Sequence, residues 1–164
     1  MNNLGILLID MQENFYIEQN EKRRLVRTQL HLLDWAGDKQ IPVFALKFKN
    51  KGGNILPELE RALTKVESYI IPKELENGFY DNIMLTSLLE KMKINDLIFT
   101  GIYSHACVWE TANAAKEEGG FNVFTSEELM NKSSINWYAR WYQENTNYFT
   151  KADELMANFS NPNL

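Results

Sequence analysis

Leu4-Gly5-Ile6-Leu7-Leu8-Ile9-Asp10 is an unbroken apolar run closed by a single carboxylate. A strand with one wet face alternates apolar and polar residues. A short unbroken run reads instead as a strand buried on both faces, the pattern of a parallel sheet covered by helices. The rest of the chain repeats this theme. Residues 42–46, 68–71, 97–100 and 121–125 form further short apolar runs, the third strand candidate stopping at Pro72 and the fourth closing at Gly101. Helical stretches separate them. Residues 21–38 place Val26, Leu30 and Leu33 on one face, with Gly37 as the expected stop. Residues 57–63 carry Pro57 in the first turn, and a third helix capped by Asp81 carries the stripe Leu85, Leu88, Leu89 and Met92. Residues 106–118 form a fourth, residues 47–54 with Gly52-Gly53 a polar loop, and the aromatic-rich remainder two more helices. Strands alternating with helices predict an α/β fold: three αβα layers around a mostly parallel, Rossmann-like, doubly wound sheet of about six strands.

Composition removes several function classes. With 45% hydrophobic and 24% charged residues, the 164-residue chain can bury a core, which excludes a disordered or fibrous protein. A net charge of −5 gives no basic face for nucleic acid. The lone cysteine, Cys107, cannot form an internal disulfide, and with two histidines it cannot complete a zinc site of four cysteines or of paired cysteines and histidines. No apolar run approaches bilayer length, and Met1-Asn2-Asn3 does not open a secretory signal, so a cytoplasmic protein with no membrane partner is expected.

In an open parallel sheet, ligands bind outside the carboxyl ends of the strands. Asp10 follows the first strand candidate, Lys73 the third, and Cys107 lies just past the fourth at a loop-to-helix junction. Singly these are a turn residue, a solvated lysine and a small buried thiol. Together they bring an acid, a base and a nucleophile to one rim. The helix N-terminus and Lys73 would lower the thiol pKa, and Asp10 would take the thiol proton and later activate water.

Four stretches in order along the chain carry a resemblance. They are Leu8-Ile9-Asp10-Met11-Gln12-Glu13-Asn14-Phe15, Lys73 with Asn77-Gly78-Phe79, Phe99-Thr100-Gly101-Ile102-Tyr103-Ser104-His105-Ala106-Cys107-Val108, and Glu110-Thr111-Ala112 with Ala115. Across about residues 4 to 125 the chain resembles the isochorismatase-like cysteine hydrolases, the superfamily of nicotinamidases and N-carbamoylsarcosine amidohydrolases. The resemblance implies one such domain over residues 1–164. It makes Cys107 the nucleophile, Asp10 the general acid/base and Lys73 the residue that orients them. It also implies a non-proline cis peptide between Ile102 and Tyr103, aiming the Tyr103 and Cys107 amides at a substrate oxyanion. Phe15, Gln12 and Trp109 become candidates for the substrate pocket. The implied activity is hydrolysis of a small-molecule amide or carbamoyl C–N bond through a thioester, without cofactor. The implied assembly is a homo-oligomer, a dimer. A vinyl-ether hydrolase of the isochorismatase type and a non-catalytic binding protein that keeps the fold are the alternatives.

The chain also departs from its relatives. Nicotinamidases share an Asp/His metal cluster after the second strand, where this chain has Lys47-Phe48-Lys49-Asn50-Lys51-Gly52-Gly53-Asn54. Three lysines repel a divalent cation, so no metal is expected and nicotinamide is disfavoured as substrate. An Asp-Ala pair common after the fifth strand is replaced by Ser126-Glu127-Glu128. His105 invites a Cys–His reading, against a loop hydrogen-bonding role. His31 reads as a partly buried or surface residue, and Glu21-Lys22-Arg23-Arg24 as a solvated helix start. Trp137, Tyr138, Trp141, Tyr142, Tyr148 and Phe149 read as core or subunit packing, with a pocket wall for a neighbouring subunit as the sharper alternative.

Overall fold

The computed structural model describes residues 3–132 and 137–160. The opening apolar run is strand β1 (Leu4–Ile9), followed by α1 (Gln19–Lys39), β2 (Val43–Phe48) and α2 (Pro57–Leu63). Then come β3 (Ser68–Lys73), α3 (Ile83–Lys91), β4 (Asp96–Gly101) and α4 (Cys107–Glu117). β5 (Asn122–Ser126), a short 3-10 turn, α5 (Trp137–Asn145), β6 (Asn147–Phe149) and α6 (Ala152–Ser160) complete the order. The strands form one six-stranded sheet in the order β3-β2-β1-β4-β5-β6, and every pairing between neighbours is parallel.

The unbroken apolar runs divide their side chains between the two faces. Leu4, Ile6 and Leu8 enter a core with α1, α2 and α6, while Leu7 and Ile9 enter a second core with α3, α4 and α5. β2 does the same, sending Val43 and Ala45 one way and Phe44, Leu46 and Phe48 the other. Each Leu or Ile buried this completely adds roughly 1.5–3 kcal/mol. Among the described residues, no helix is long and apolar enough to cross a membrane.

Local stops differ from the sequence expectations in four places. α1 continues past Gly37 to Lys39, because Gln40 takes the left-handed cap at φ 55° and donates its amide to Gly37 O. β3 runs through Pro72 rather than stopping there: it is the edge of the sheet, where a missing N–H costs no ladder bond. α3 is capped by Asn82, whose side chain accepts the Leu85 amide, and not by Asp81. The aromatic remainder is not two helices alone, since Tyr148 and Phe149 belong to β6 at the other edge. Met1 and Asn2, read above against a signal segment, and residues 161–164 of the expected domain lie outside the described residues, as does the side chain of Trp137.

The chain moves outward from β1 to β2 and β3, then returns to place β4 on the other side of β1. The carboxyl ends of β1 and β4 therefore flank the point where the order of winding reverses, which is where open α/β sheets bind ligands. The approach there is close: a Cβ at Gly101, whose φ is +136°, would lie 2.1 Å from Ile9 O.

Candidate active site

Asp10 is the first residue after β1 and takes the left-handed conformation, φ 54°, which Asp tolerates better than most side chains. Lys73 ends β3, and Cys107 is the first residue of α4. The three come together below the rim. Asp10 Oδ2 lies 2.8 Å from Lys73 Nζ, with both side chains 2% exposed. The Cys107 thiol feels the charge of the same carboxylate, and Cys107 is 7% exposed. Beyond the Lys73 ion pair, neither Asp10 oxygen has a hydrogen-bond donor among the described residues.

Besides its ion pair with Asp10, the Lys73 ammonium donates to Leu75 O at 3.0 Å and Glu76 O at 3.2 Å, and it sits 3.8 Å from the centroid of the Phe48 ring. A buried lysine held this way is a fixed positive charge rather than a mobile one.

The electrostatics correct one expectation. Burial raises the Asp10 carboxyl above its ordinary value, with Lys73 pulling it back. Burial, and then the Asp10 charge, push the Cys107 thiol up to about 12, with Lys73 again opposing. Lys73 lowers the thiol pKa as anticipated, but desolvation wins, so the resting sulfur holds its proton at neutral pH. The carboxylate beside it is the group placed to receive that proton, and the two titrate as a pair.

The Ile102–Tyr103 peptide bond is cis. Tyr103 O accepts from the Ala106 and Val108 amides, while no acceptor among the described residues takes the Tyr103 or Cys107 amide. This loop is held from outside. Ser104 N donates to Asn131 Oδ1 at 2.8 Å, Ser104 Oγ to Asn131 O at 2.9 Å, and the fully buried Tyr142 hydroxyl to Ser104 O at 2.9 Å. From α4, Thr111 donates to Cys107 O at 2.6 Å and accepts from Gly78 N at 3.0 Å, which ties the segment after β3 to the cysteine helix. Gly78 is needed there, since a Cβ would meet Leu46 Cδ1 at 2.5 Å.

The remaining candidates separate. Phe15 packs edge-on against Phe48 and Tyr103, at centroid distances of 5.8 and 6.3 Å, so it belongs to an aromatic wall beside the triad. Tyr103 adds its ring to that wall and donates its hydroxyl to Tyr16 O. Gln12 does not offer its side chain to a pocket. Its Nε2 donates to Gly53 O at 2.7 Å and Lys51 O at 3.0 Å, and its Oε1 accepts from Phe48 N at 2.8 Å, so the amide is spent on pinning the loop after β2. Trp109 packs edge-on against Trp141 of α5, 5.9 Å away. His105 lies between the rings of Tyr103 and Tyr138, and its buried Nδ1 makes no hydrogen bond among the described residues. Within the aromatic cluster, Tyr142 packs edge-on against Tyr138 and Trp141.

His31 is a surface side chain, one of the two placements expected of it, 3.0 Å from Asp153. Arg24 is not simply solvated: it pairs with Glu21 and donates to Glu128 O and Met130 O, clasping α1 to the segment that carries Asn131. Phe48, Asn131, Tyr142 and Thr111 were missed as site residues. Only Thr111 had a local signal, its spacing of one helical turn from Cys107.

The loop after β2 does not fit a divalent cation. Its side chains offer ammonium groups where ligand oxygens or nitrogens would be needed, and Lys49 and Lys51 pair with Glu74 and Glu76.

A family model for the isochorismatase domain matches residues 5–150. No curated protein matches the chain in sequence. Among solved structures, an isochorismatase-like hydrolase from Alkaliphilus metalliredigens superposes with a TM-score of 0.80 at 20% identity, covering 95% of this chain and 98% of that one. A nicotinamidase from Staphylococcus aureus gives 0.77 at 17% identity, covering 90% and 99%. An N-carbamoylsarcosine amidase from Thermoplasma acidophilum gives 0.75 at 14% identity, covering 90% and 94%. At these identities the structural likeness shows the fold.

Proposed function

The chain belongs to the isochorismatase domain family, and we propose that it is a cysteine hydrolase that cleaves a small-molecule amide or carbamoyl C–N bond through a thioester on Cys107. The observation that carries the reading is the buried Asp10–Lys73 pair at 2.8 Å, with the buried Cys107 thiol under the influence of both charges.

Each step follows from that arrangement. As sulfur attacks the carbonyl carbon, the thiol proton passes to Asp10, so no free thiolate has to exist beforehand. The carbonyl oxygen becomes an oxyanion within reach of the Tyr103 and Cys107 amides, which have no other acceptor among the described residues; one such donor is worth about 3–4 kcal/mol in the transition state. Asp10 returns its proton to the leaving nitrogen, the C–N bond breaks, and a thioester remains. Water then attacks the thioester, Asp10 takes its proton, and the acid leaves as the thiol is restored. Lys73 keeps Asp10 ionised between these transfers and neutralises the buried charge.

The reading keeps a small-molecule substrate and a homodimer, for which exposed Ile70, Leu75, Ile83 and Met84 near the β3 edge are available apolar surface. Ammonia release from a panel of small primary amides and carbamoyl compounds tests it. Cys107→Ala and Asp10→Asn should each remove turnover by at least 100-fold, on the scale of losing a nucleophile or a general base. Activity of the Cys107→Ala protein toward a vinyl ether, with none toward any amide in the parent, would overturn it in favour of isochorismatase-type chemistry.

A further inference from the structure

Two ammonium groups share one aromatic ring. Lys73 Nζ is 3.8 Å and Lys51 Nζ 3.9 Å from the centroid of Phe48, so the ring is what links the second lysine to the candidate triad. Their situations differ. Lys73 is buried, paired with Asp10 and donating to Leu75 O and Glu76 O. Lys51 is half exposed, and among the described residues the carboxylate it pairs with, Glu76, lies at 3.8 Å, too far for a good hydrogen bond. The backbone beneath Lys51 is nevertheless fixed. Gln12 donates to Lys51 O and Gly53 O, and Gly52 and Gly53 take φ values of +85° and +75° to make the turn, with Gln12 two residues from Asp10. Glu76 is anchored through its carbonyl by Lys73, while among the described residues its carboxylate has only the long contact to Lys51. An ammonium on a pinned loop and over a ring, with spare donors, faces a carboxylate that is free to move away.

Resting on the cysteine-hydrolase reading, we propose that Lys51 selects the substrate: its ammonium exchanges Glu76 for an anionic group, so the preferred substrates are small amides or carbamoyl compounds bearing a carboxylate a few bonds from the scissile C–N bond. A half-exposed pair at that separation is weak, and a carboxylate that reaches the ammonium at hydrogen-bonding distance replaces it readily. The influence of Lys51 extends to the triad, since its charge also acts on Asp10.

Iodoacetate and iodoacetamide test this on the whole protein, because they alkylate the same thiol and differ in one carboxylate. The readout is the ratio of their alkylation rates at Cys107. Lys51→Met should lower the iodoacetate-to-iodoacetamide ratio about tenfold, the size of one charge-assisted hydrogen bond. Lys51→Arg should preserve the ratio, and Glu76→Gln should raise it. Lys49→Met removes the same charge from the same loop, but Lys49 pairs with Glu74 at 2.9 Å, and the ratio should stay near that of the parent. A ratio unmoved by Lys51→Met, or moved equally by Lys49→Met, overturns the inference while leaving the hydrolase reading intact. A Cys107 that reacts with neither reagent overturns both.

Discussion

Two lysine–carboxylate pairs share the Phe48 ring, and burial gives them opposite meanings. Lys73 and Asp10 are 2.8 Å apart with side chains 2% exposed, while Lys51 and Glu76 are 3.8 Å apart and 54% exposed each. In the first pair neither charge can be left alone, because an unpaired ion in the interior is far costlier than the pair. In the second, water can replace either partner at little cost. The same residue types therefore make a fixed piece of chemistry below the rim and an exchangeable contact above it.

Removing a partner on each side is the sharpest way to break this contrast. Lys73→Ala should destabilise the protein by about 3–5 kcal/mol in urea unfolding at neutral pH, and should abolish turnover. A loss near that of a surface pair would mean that Asp10 is better solvated than its burial indicates. The thiol supplies the next effect. Its pKa is raised from 9.0 to about 12, so its stabilising contribution is fully present below pH 9 and is lost as pH rises through about 12. Between those values the parent should lose stability relative to Cys107→Ala by on the order of 1.4 kcal/mol per pH unit, measured by paired denaturation curves. Parallel pH profiles would show that the thiol is not desolvated.

Smaller changes refine the comparison. Tyr142→Phe removes only the hydroxyl that donates to Ser104 O, and should cost about 1 kcal/mol while lowering kcat more than it raises KM, because the loop bearing the Tyr103 and Cys107 amides loses a support. Lys49→Met breaks the exposed pair with Glu74 and should change stability by less than about 1 kcal/mol.

Much of the centre of this molecule was legible in the chain. β1 and α2 have the bounds expected of them, because a run buried on both faces and a proline in a first turn are local signals. That Asp10, Lys73 and Cys107 come together was legible for a related reason: each stands at a strand or helix end, and the parallel topology brings such ends to one rim. The misreadings were decided by tertiary context. Pro72 ends a strand anywhere but at a sheet edge, and only the strand order makes β3 an edge. β6 is three half-buried or exposed residues, too short to show a period. Asn131 and Tyr142 hold Ser104 from 27 and 38 residues away, and nothing local to them marks that role. The thiol pKa was misjudged because a helix end and a lysine are visible in sequence, while the depth of burial is not.

The most direct test of the proposed chemistry is intact-protein mass spectrometry of the chain quenched during incubation with small amides. The proposed mechanism requires a transient mass increase equal to the acyl group of the substrate, mapped to Cys107, absent in Cys107→Ala and suppressed in Asp10→Asn. Steady release of ammonia with no acyl mass on Cys107, and with undiminished turnover by Cys107→Ala, would contradict it.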